Sequence, residues 1–159
     1  MSLLSDNDIL NMMRQGKLSI EPFEEKNLTP NGYDLTIGEV FIKKMNSHIR
    51  EGIVRVPPLT WFAISTFEFI EMGEDITAQL WIRSSYARRG IFASFGKVDA
   101  GFRGTLTIGC FNASHEYVEI PIGDRFCQIV FELLATRPDK LYEERSGNYQ
   151  NQRGITLPD

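Results

Sequence analysis

Val98-Asp99-Ala100-Gly101-Phe102-Arg103-Gly104, running on into Thr105-Leu106-Thr107-Ile108-Gly109-Cys110-Phe111-Asn112, joins a glycine-rich turn around one carboxylate to a β-favouring run. With Gly96 and Lys97 in front, the first part reads as a hairpin, because glycine tolerates the tight backbone a short connection needs. The second part reads as a strand over Gly104 to Asn112. Outward from it the pattern recurs. Upstream candidates are Tyr33 to Ile37, Val40 to Ile42 (divided from the first by Gly38), Ile53 to Val56, Trp61 to Glu71, Ile76 to Ile82 and Gly90 to Ala93. Downstream ones are Tyr117 to Ile120 and Phe126 to Leu134. Pro30-Asn31-Gly32, Pro57-Pro58, Asp75, Pro121-Ile122-Gly123-Asp124 and Pro138 supply turn chemistry between them. Many short strands separated in this way predict an all-β barrel or sandwich.

The two ends differ from this middle. Ser5-Asp6-Asn7-Asp8 followed by Ile9, Leu10, Met12 and Met13 predicts an N-capped peripheral helix within residues 1–16, stopping near Gly16. Residues 142–159 are polar, carry Gly147, Gly154 and Pro158, and read as a flexible tail. A chain of 159 residues that is 42% hydrophobic suits one domain, 1–159. Its net charge of -4 offers no global field for nucleic acid or an anionic membrane, so an anionic ligand needs a local cluster. No apolar run is long enough to span a bilayer, and Met1 to Asn11 lacks the pattern of a secretory signal. Cys110 and Cys127 sit inside apolar strands, where burial as small hydrophobes fits a reducing cytoplasm.

Four segments can carry chemistry. Arg83-Ser84-Ser85-Tyr86-Ala87-Arg88-Arg89-Gly90 gathers guanidinium forks and short hydroxyls that suit phosphate oxygens, or forms a solvated basic turn. In the hairpin, Asp99 can polarise a water or serve only as a turn residue. Gly123-Asp124-Arg125-Phe126-Cys127-Gln128 places an amide, Gln128, in an apolar strand. Tyr149-Gln150-Asn151-Gln152-Arg153-Gly154 forms the tail's centre.

In order and spacing these segments resemble the dUTPase and dCTP deaminase superfamily over nearly the whole chain. Asn31-Gly32-Tyr33-Asp34-Leu35 resembles its first motif, Arg83 to Arg88 the second, Val98 to Gly104 the third, Gly123-Asp124-Arg125 with Gln128 the fourth, and Tyr149 to Gly154 the last. Leu4-Ser5-Asp6 and the tail look like the deaminase branch rather than the classical dUTPase branch, whose tail is a glycine-rich phosphate binder. The resemblance implies a distorted β-barrel or jelly roll of the dUTPase-like β-clip type, and a homotrimer with active sites between subunits. Trp61, Phe62, Phe67 and Phe69 form a dense aromatic stretch that suits either a core or an interface.

Deaminases of that branch carry a glutamate in the strand after the third motif, and Gly109 stands at that place here. The stretch from Gly90 to Asp99 also looks shorter than theirs and lacks their usual histidine. Deamination needs a group that shuttles protons from water to the ring nitrogen and the departing amine, and glycine has none. No paired Cys and His ligands of the kind zinc deaminases use are present. Hydrolysis of a phosphoanhydride asks only for an oriented water, a carboxylate and neutralised phosphates.

The resemblance therefore implies a dUTP diphosphatase. Asp99 would activate water toward the α-phosphorus, and Arg83, Ser84, Ser85 and Gln128 would bind phosphates, with Arg88 and Arg153 as further contacts. The hairpin Ser94 to Phe102, Val98 included, would read the uracil edge. Phe102 would sit under the sugar and exclude a 2′-hydroxyl. Tyr149 and Gln152 would close over the nucleotide, and Mg²⁺ would ride on the triphosphate, with Asp34 reaching it through water. Two other readings compete: a dCTP deaminase or bifunctional enzyme in which Glu116 or Glu119 replaces the missing carboxylate, and a non-catalytic nucleotide-binding regulator. His48 and His115 read as surface positions.

Overall fold

Strict alternation builds the sheet: in Ile76–Ile82 the side chains of Ile76, Ala78 and Leu80 are buried while Thr77, Gln79 and Trp81 face outward. The structure, a computed structural model, describes residues 2–158. Its strands are β1 (Ser2–Leu3), β2 (Leu18–Glu21), β3 (Leu28–Thr29), β4 (Gly32–Ile42), β5 (Ser47–Ile49), β6 (Ile53–Val56), β7 (Thr60–Thr66) and β8 (Phe69–Met72). There follow β9 (Ile76–Ile82), β10 (Ile91–Ser94), β11 (Lys97–Val98), β12 (Arg103–Gly104), β13 (Thr107–Asn112), β14 (Val118–Pro121) and β15 (Arg125–Leu133). Helices are short: α1 (Asp6–Arg14), α2 (Ser84–Ala87) and α3 (Tyr142–Arg145).

The main sheet curls into a half-barrel in the order β10-β13-β7-β4-β15-β9-β11, with β1 on β15 and β3 and β5 on β4. Smaller sheets β12-β8-β2 and β14-β6 close it. The expected all-β architecture is present. Inside lie Tyr33, Leu35, Ile64, Ile108, Phe126, Ile129 and Phe131, each 2% exposed or less. Cys110 and Cys127 are free and buried among them, and burial pushes both thiols up in pKa. Among the described residues no helix is long and apolar enough to cross a membrane.

Several boundaries differ from the sequence reading, each for a reason in the packing. Gly38 does not divide two strands: β4 runs through it with a register shift between Ile37 and Glu39. A Cβ there would come 3.0 Å from Phe67 Cα, so glycine lets the neighbouring backbone approach at the bulge. Trp61 to Glu71 is two strands, because Glu68 turns inward and its carboxylate accepts from Thr36 N and Oγ1 at 2.9 and 2.8 Å. Gly104 to Asn112 divides likewise where Leu106 N donates to Thr66 Oγ1 at 2.9 Å. At the N-terminus, Ser5 and Asp8 form the capping box of α1, with the Ser5 hydroxyl accepting from Asp8 N.

The tail, which composition marks as a flexible segment, has polar groups that contact the barrel. Arg103 N donates to Gln150 Oε1 at 2.9 Å, Asn151 N to Arg103 O at 2.7 Å, and Gln152 forms a parallel bridge with Gly104. The hairpin's outer edge was an unpaired strand edge, and the tail satisfies it.

Candidate active site

Between β11 and β12 the chain turns through Asp99, Ala100, Gly101 and Phe102, with Phe102 N donating to Asp99 O at 3.1 Å. Gly101 has φ +82°, a backbone conformation glycine adopts without strain. Ala100 O accepts from Tyr142 N at 3.1 Å, Gly101 O from Gln150 Nε2 at 3.0 Å and Phe102 O from Met72 N at 2.8 Å. These bonds hold the far side of the turn. The near side, Gly96 to Asp99, faces a cavity of about 330 Å³.

That cavity is lined by Val98, Asp99, Phe102, Tyr149 and Gln152, which places four of the expected substrate residues and the expected catalytic aspartate around one space. Phe102 is 5% exposed and meets the Tyr142 ring edge-on at 5.4 Å between centroids. Asp99 is exposed at the mouth and is the only carboxylate among the lining residues, with no side-chain hydrogen bond or ion pair among the described residues. Gln152 donates through Nε2 to Thr105 O, while its Oε1 is buried with no donor to accept from. A ligand or water with a free N–H or O–H would find an acceptor there.

A second cluster gathers the other motifs. Arg83 caps α2, its N donating to Phe126 O at 3.0 Å. Behind it the buried Tyr86 donates its hydroxyl to Asp124 Oδ2 at 2.6 Å and stacks near Phe126, which pins the basic segment to the Gly123-Asp124-Arg125 turn. Asp34 is 6% exposed, with Arg83 Nε at 3.4 Å and Arg125 Nη1 at 3.7 Å from its Oδ2. Burial raises the Asp34 pKa and the two guanidiniums oppose that rise. Gln128, opposite Asp34 in the register of β15 and β4, donates to Thr29 Oγ1 at 2.6 Å. Gly32 permits this pairing, since a Cβ there would strike Ile129 O. Ser84 and Ser85 lie beside Arg83 with both side chains exposed.

Three expected contacts fall outside both groups. Arg88 lines a surface groove with Arg55, Arg89 and His115, Ser94 is exposed opposite Gly109, and Arg153 stacks on Phe69 at 4.4 Å. Glu116 and Glu119 face the Arg88 groove rather than the Asp99 cavity. Arg125 and Thr29 were missed by the sequence reading. Arg125 lay inside a quoted motif and its charge was a usable signal, whereas nothing local to Thr29 marks it.

Asp34 Oδ2 already faces two cations, and the described residues hold no cluster of three His, Cys, Asp or Glu side chains able to cage an ion by themselves, so a contact of Asp34 with Mg²⁺ would have to run through water to an ion carried by the substrate.

The sequence profile of the dCTP deaminase-like family matches residues 3–53 and 41–134. The chain belongs to that family. It is 45% identical over 143 residues to a dCTP deaminase of Pyrococcus horikoshii, covering 89% of this chain and 90% of that one. It is 34% identical over 158 residues to a probable deoxyuridine 5'-triphosphate nucleotidohydrolase of Sulfolobus islandicus rod-shaped virus 1, covering 98% and 97%. The dCTP deaminase structure from Agrobacterium tumefaciens superposes with a TM-score of 0.70 at 19% identity, over 82% of this chain and 48% of that one. A mutant dUTPase of phage phi11 of S. aureus, whose structure is described as coordinating a structural Mg(II) ion, superposes at 0.55 and 20% identity over 81% and 98%. Both families of name thus denote enzymes acting on nucleotides.

Within this dCTP deaminase-like chain, Gly109 lies on the same face of β13 as Thr107, which lines the cavity. A Cβ on Gly109 would meet the Trp61 indole, with Nε1 nearest at 3.6 Å, an ordinary contact. Sterics therefore do not require a glycine where the deaminases that the sequence resembles carry their glutamate.

Proposed function

We propose that the protein hydrolyses dUTP to dUMP and pyrophosphate. The observation that carries this is the cavity's acid-base inventory: one carboxylate, Asp99, lines it, and the β13 face beside it presents Gly109. One carboxylate suffices to orient a water and take its proton as the water oxygen bonds to the α-phosphorus. The bond from that phosphorus to the bridging oxygen breaks, and pyrophosphate leaves with the electron pair. The Gly96 to Asp99 backbone reads the uracil edge, Phe102 packs against the sugar, and Tyr149 and Gln152 cover the nucleoside.

Arg83, Ser84, Ser85 and Gln128, with Arg125, bind the phosphates. None of these lines the Asp99 cavity of the same chain, which supports an assembly, a homotrimer in this proposal, in which one copy's basic cluster meets another copy's hairpin. Magnesium enters as the counter-ion of the triphosphate substrate.

The names of the relatives favour a second reading, deamination of dCTP. Incubation with dUTP or dCTP and Mg²⁺, followed by assay of pyrophosphate and ammonia, separates the two. Pyrophosphate from dUTP and no ammonia from dCTP is the expected outcome. Ammonia from dCTP would overturn the proposal.

A further inference from the structure

The buried carboxylate of Glu39 takes no part in either half of the site, yet it touches the segment that closes one of them. Glu39 lies on β4 and is 5% exposed. Its Oε1 meets His48 Nδ1 at 2.6 Å and Arg50 Nη2 at 3.2 Å, both from the β5 region, while Oε2 accepts from Ile155 N of the tail at 3.2 Å. Gly154, with φ +67°, brings the tail so close that a Cβ there would lie 2.9 Å from Glu39 Oε2.

The register explains why this one contact matters. Glu39, Ser65 and Thr107 stand side by side across β4, β7 and β13. The tail crosses this row: the Thr107 hydroxyl accepts from Thr156 N at 3.1 Å and lies 3.4 Å from Gly154 O, and Glu39 grips Ile155 at the other end. Two residues before Gly154, Gln152 presents its unpaired Oε1, and Tyr149 lines the cavity. Burial of this carboxylate is offset by His48, Arg50 and the Ile155 amide together, which ties the tail contact to a fixed charge.

We infer that Glu39 is a positioning residue, a catch that fixes the C-terminal strap so that Tyr149 and Gln152 complete the nucleoside cavity. Its consequence for dUTP rests on the function proposed above, whereas its hold on the strap does not. The catch acts on binding rather than on the reacting atoms, so KM and not kcat carries the effect.

The test combines amide hydrogen exchange on the ligand-free chain with steady-state kinetics and binding of a non-hydrolysable dUTP analogue. Glu39→Ala should speed exchange at residues 150–156 and raise KM for dUTP about tenfold, the loss expected of one charge-assisted hydrogen bond, with kcat held. Truncation after Arg153 should weaken analogue binding at least as much, since it also removes the Thr107 contacts, and adding Glu39→Ala to the truncated chain should change nothing more, since the segment that Glu39 holds is already gone. Unchanged exchange in Glu39→Ala overturns the inference, as do fully additive effects of the two changes. Should Glu39→Ala fail to fold, the truncated chain still decides, because analogue binding as tight as that of the full chain overturns the inference. Faster exchange in a chain that binds no dUTP analogue would sink the diphosphatase reading and leave the catch standing.

Discussion

The hairpin cavity and the basic cluster are built in opposite ways. Around the cavity, backbone groups of residues 100–104 are tied to Gly73, Met72, Tyr142 and the tail by neutral hydrogen bonds, and the one carboxylate, Asp99, is exposed. At the cluster, buried carboxylates bear the structure: Asp34 under two arginines and Glu68 under Thr36. The first is a concave space lined by neighbouring segments of one chain, and the second is a charged face set apart from it. On the proposed function, such a split would separate base reading, which needs shape, from phosphate binding, which needs charge held ready against desolvation.

The sharpest way to break that division is at Asp99. Asp99→Asn removes the proton acceptor and leaves the neutral scaffold around it untouched. Turnover of dUTP should fall at least about 100-fold while the analogue still binds, in keeping with typical general-base contributions. Wild-type turnover in the variant would show that the carboxylate does no chemistry.

Next in size is the cluster. Arg83→Ala should lower kcat/KM for dUTP by about 10- to 100-fold, the worth of a charge-assisted contact to phosphate. It should also destabilise the fold by about 1–3 kcal/mol in urea titration, because Asp34 keeps only Arg125 at 3.7 Å. Adding Asp34→Asn should restore the urea midpoint without restoring activity. Recovery of both would mean that Arg83 serves the fold alone.

The same contrast explains what the sequence could reveal. The hairpin is legible because Gly96, Gly101 and Gly104 around Asp99 are local signals for a tight turn, and the turn forms where they stand. The strand alternation of β9 and β13 was legible for the same reason, since one buried face leaves a period of two. Contacts distant in sequence were not. Glu68 cut a continuous β-favouring run because it bonds to Thr36, and the tail docked because an open sheet edge awaited it. Neither partner is written near the residue it controls. The two-part site was visible only as motifs, and nothing in their order says which share a cavity.

The smallest effect tests whether buried charge burdens the cluster side. Glu68 is 2% exposed, and burial raises its pKa above the ordinary 4.5, with the Thr36 hydrogen bonds pulling the other way. With the folded value above the unfolded one, the native state holds the proton longer as pH climbs. Stability from this group is then complete below about pH 4.5 and is lost as pH rises through the raised folded value. Glu68→Gln keeps an oxygen for Thr36 N and cannot ionise, so its urea midpoint relative to wild type should improve steadily from pH 4.5 upward and level off above the folded value. A change confined to Asp99 should show no such trend, as that carboxylate is exposed. If the Glu68→Gln difference is flat across that range, the cluster's carboxylates cost the fold nothing, and the two halves of the site differ in shape alone.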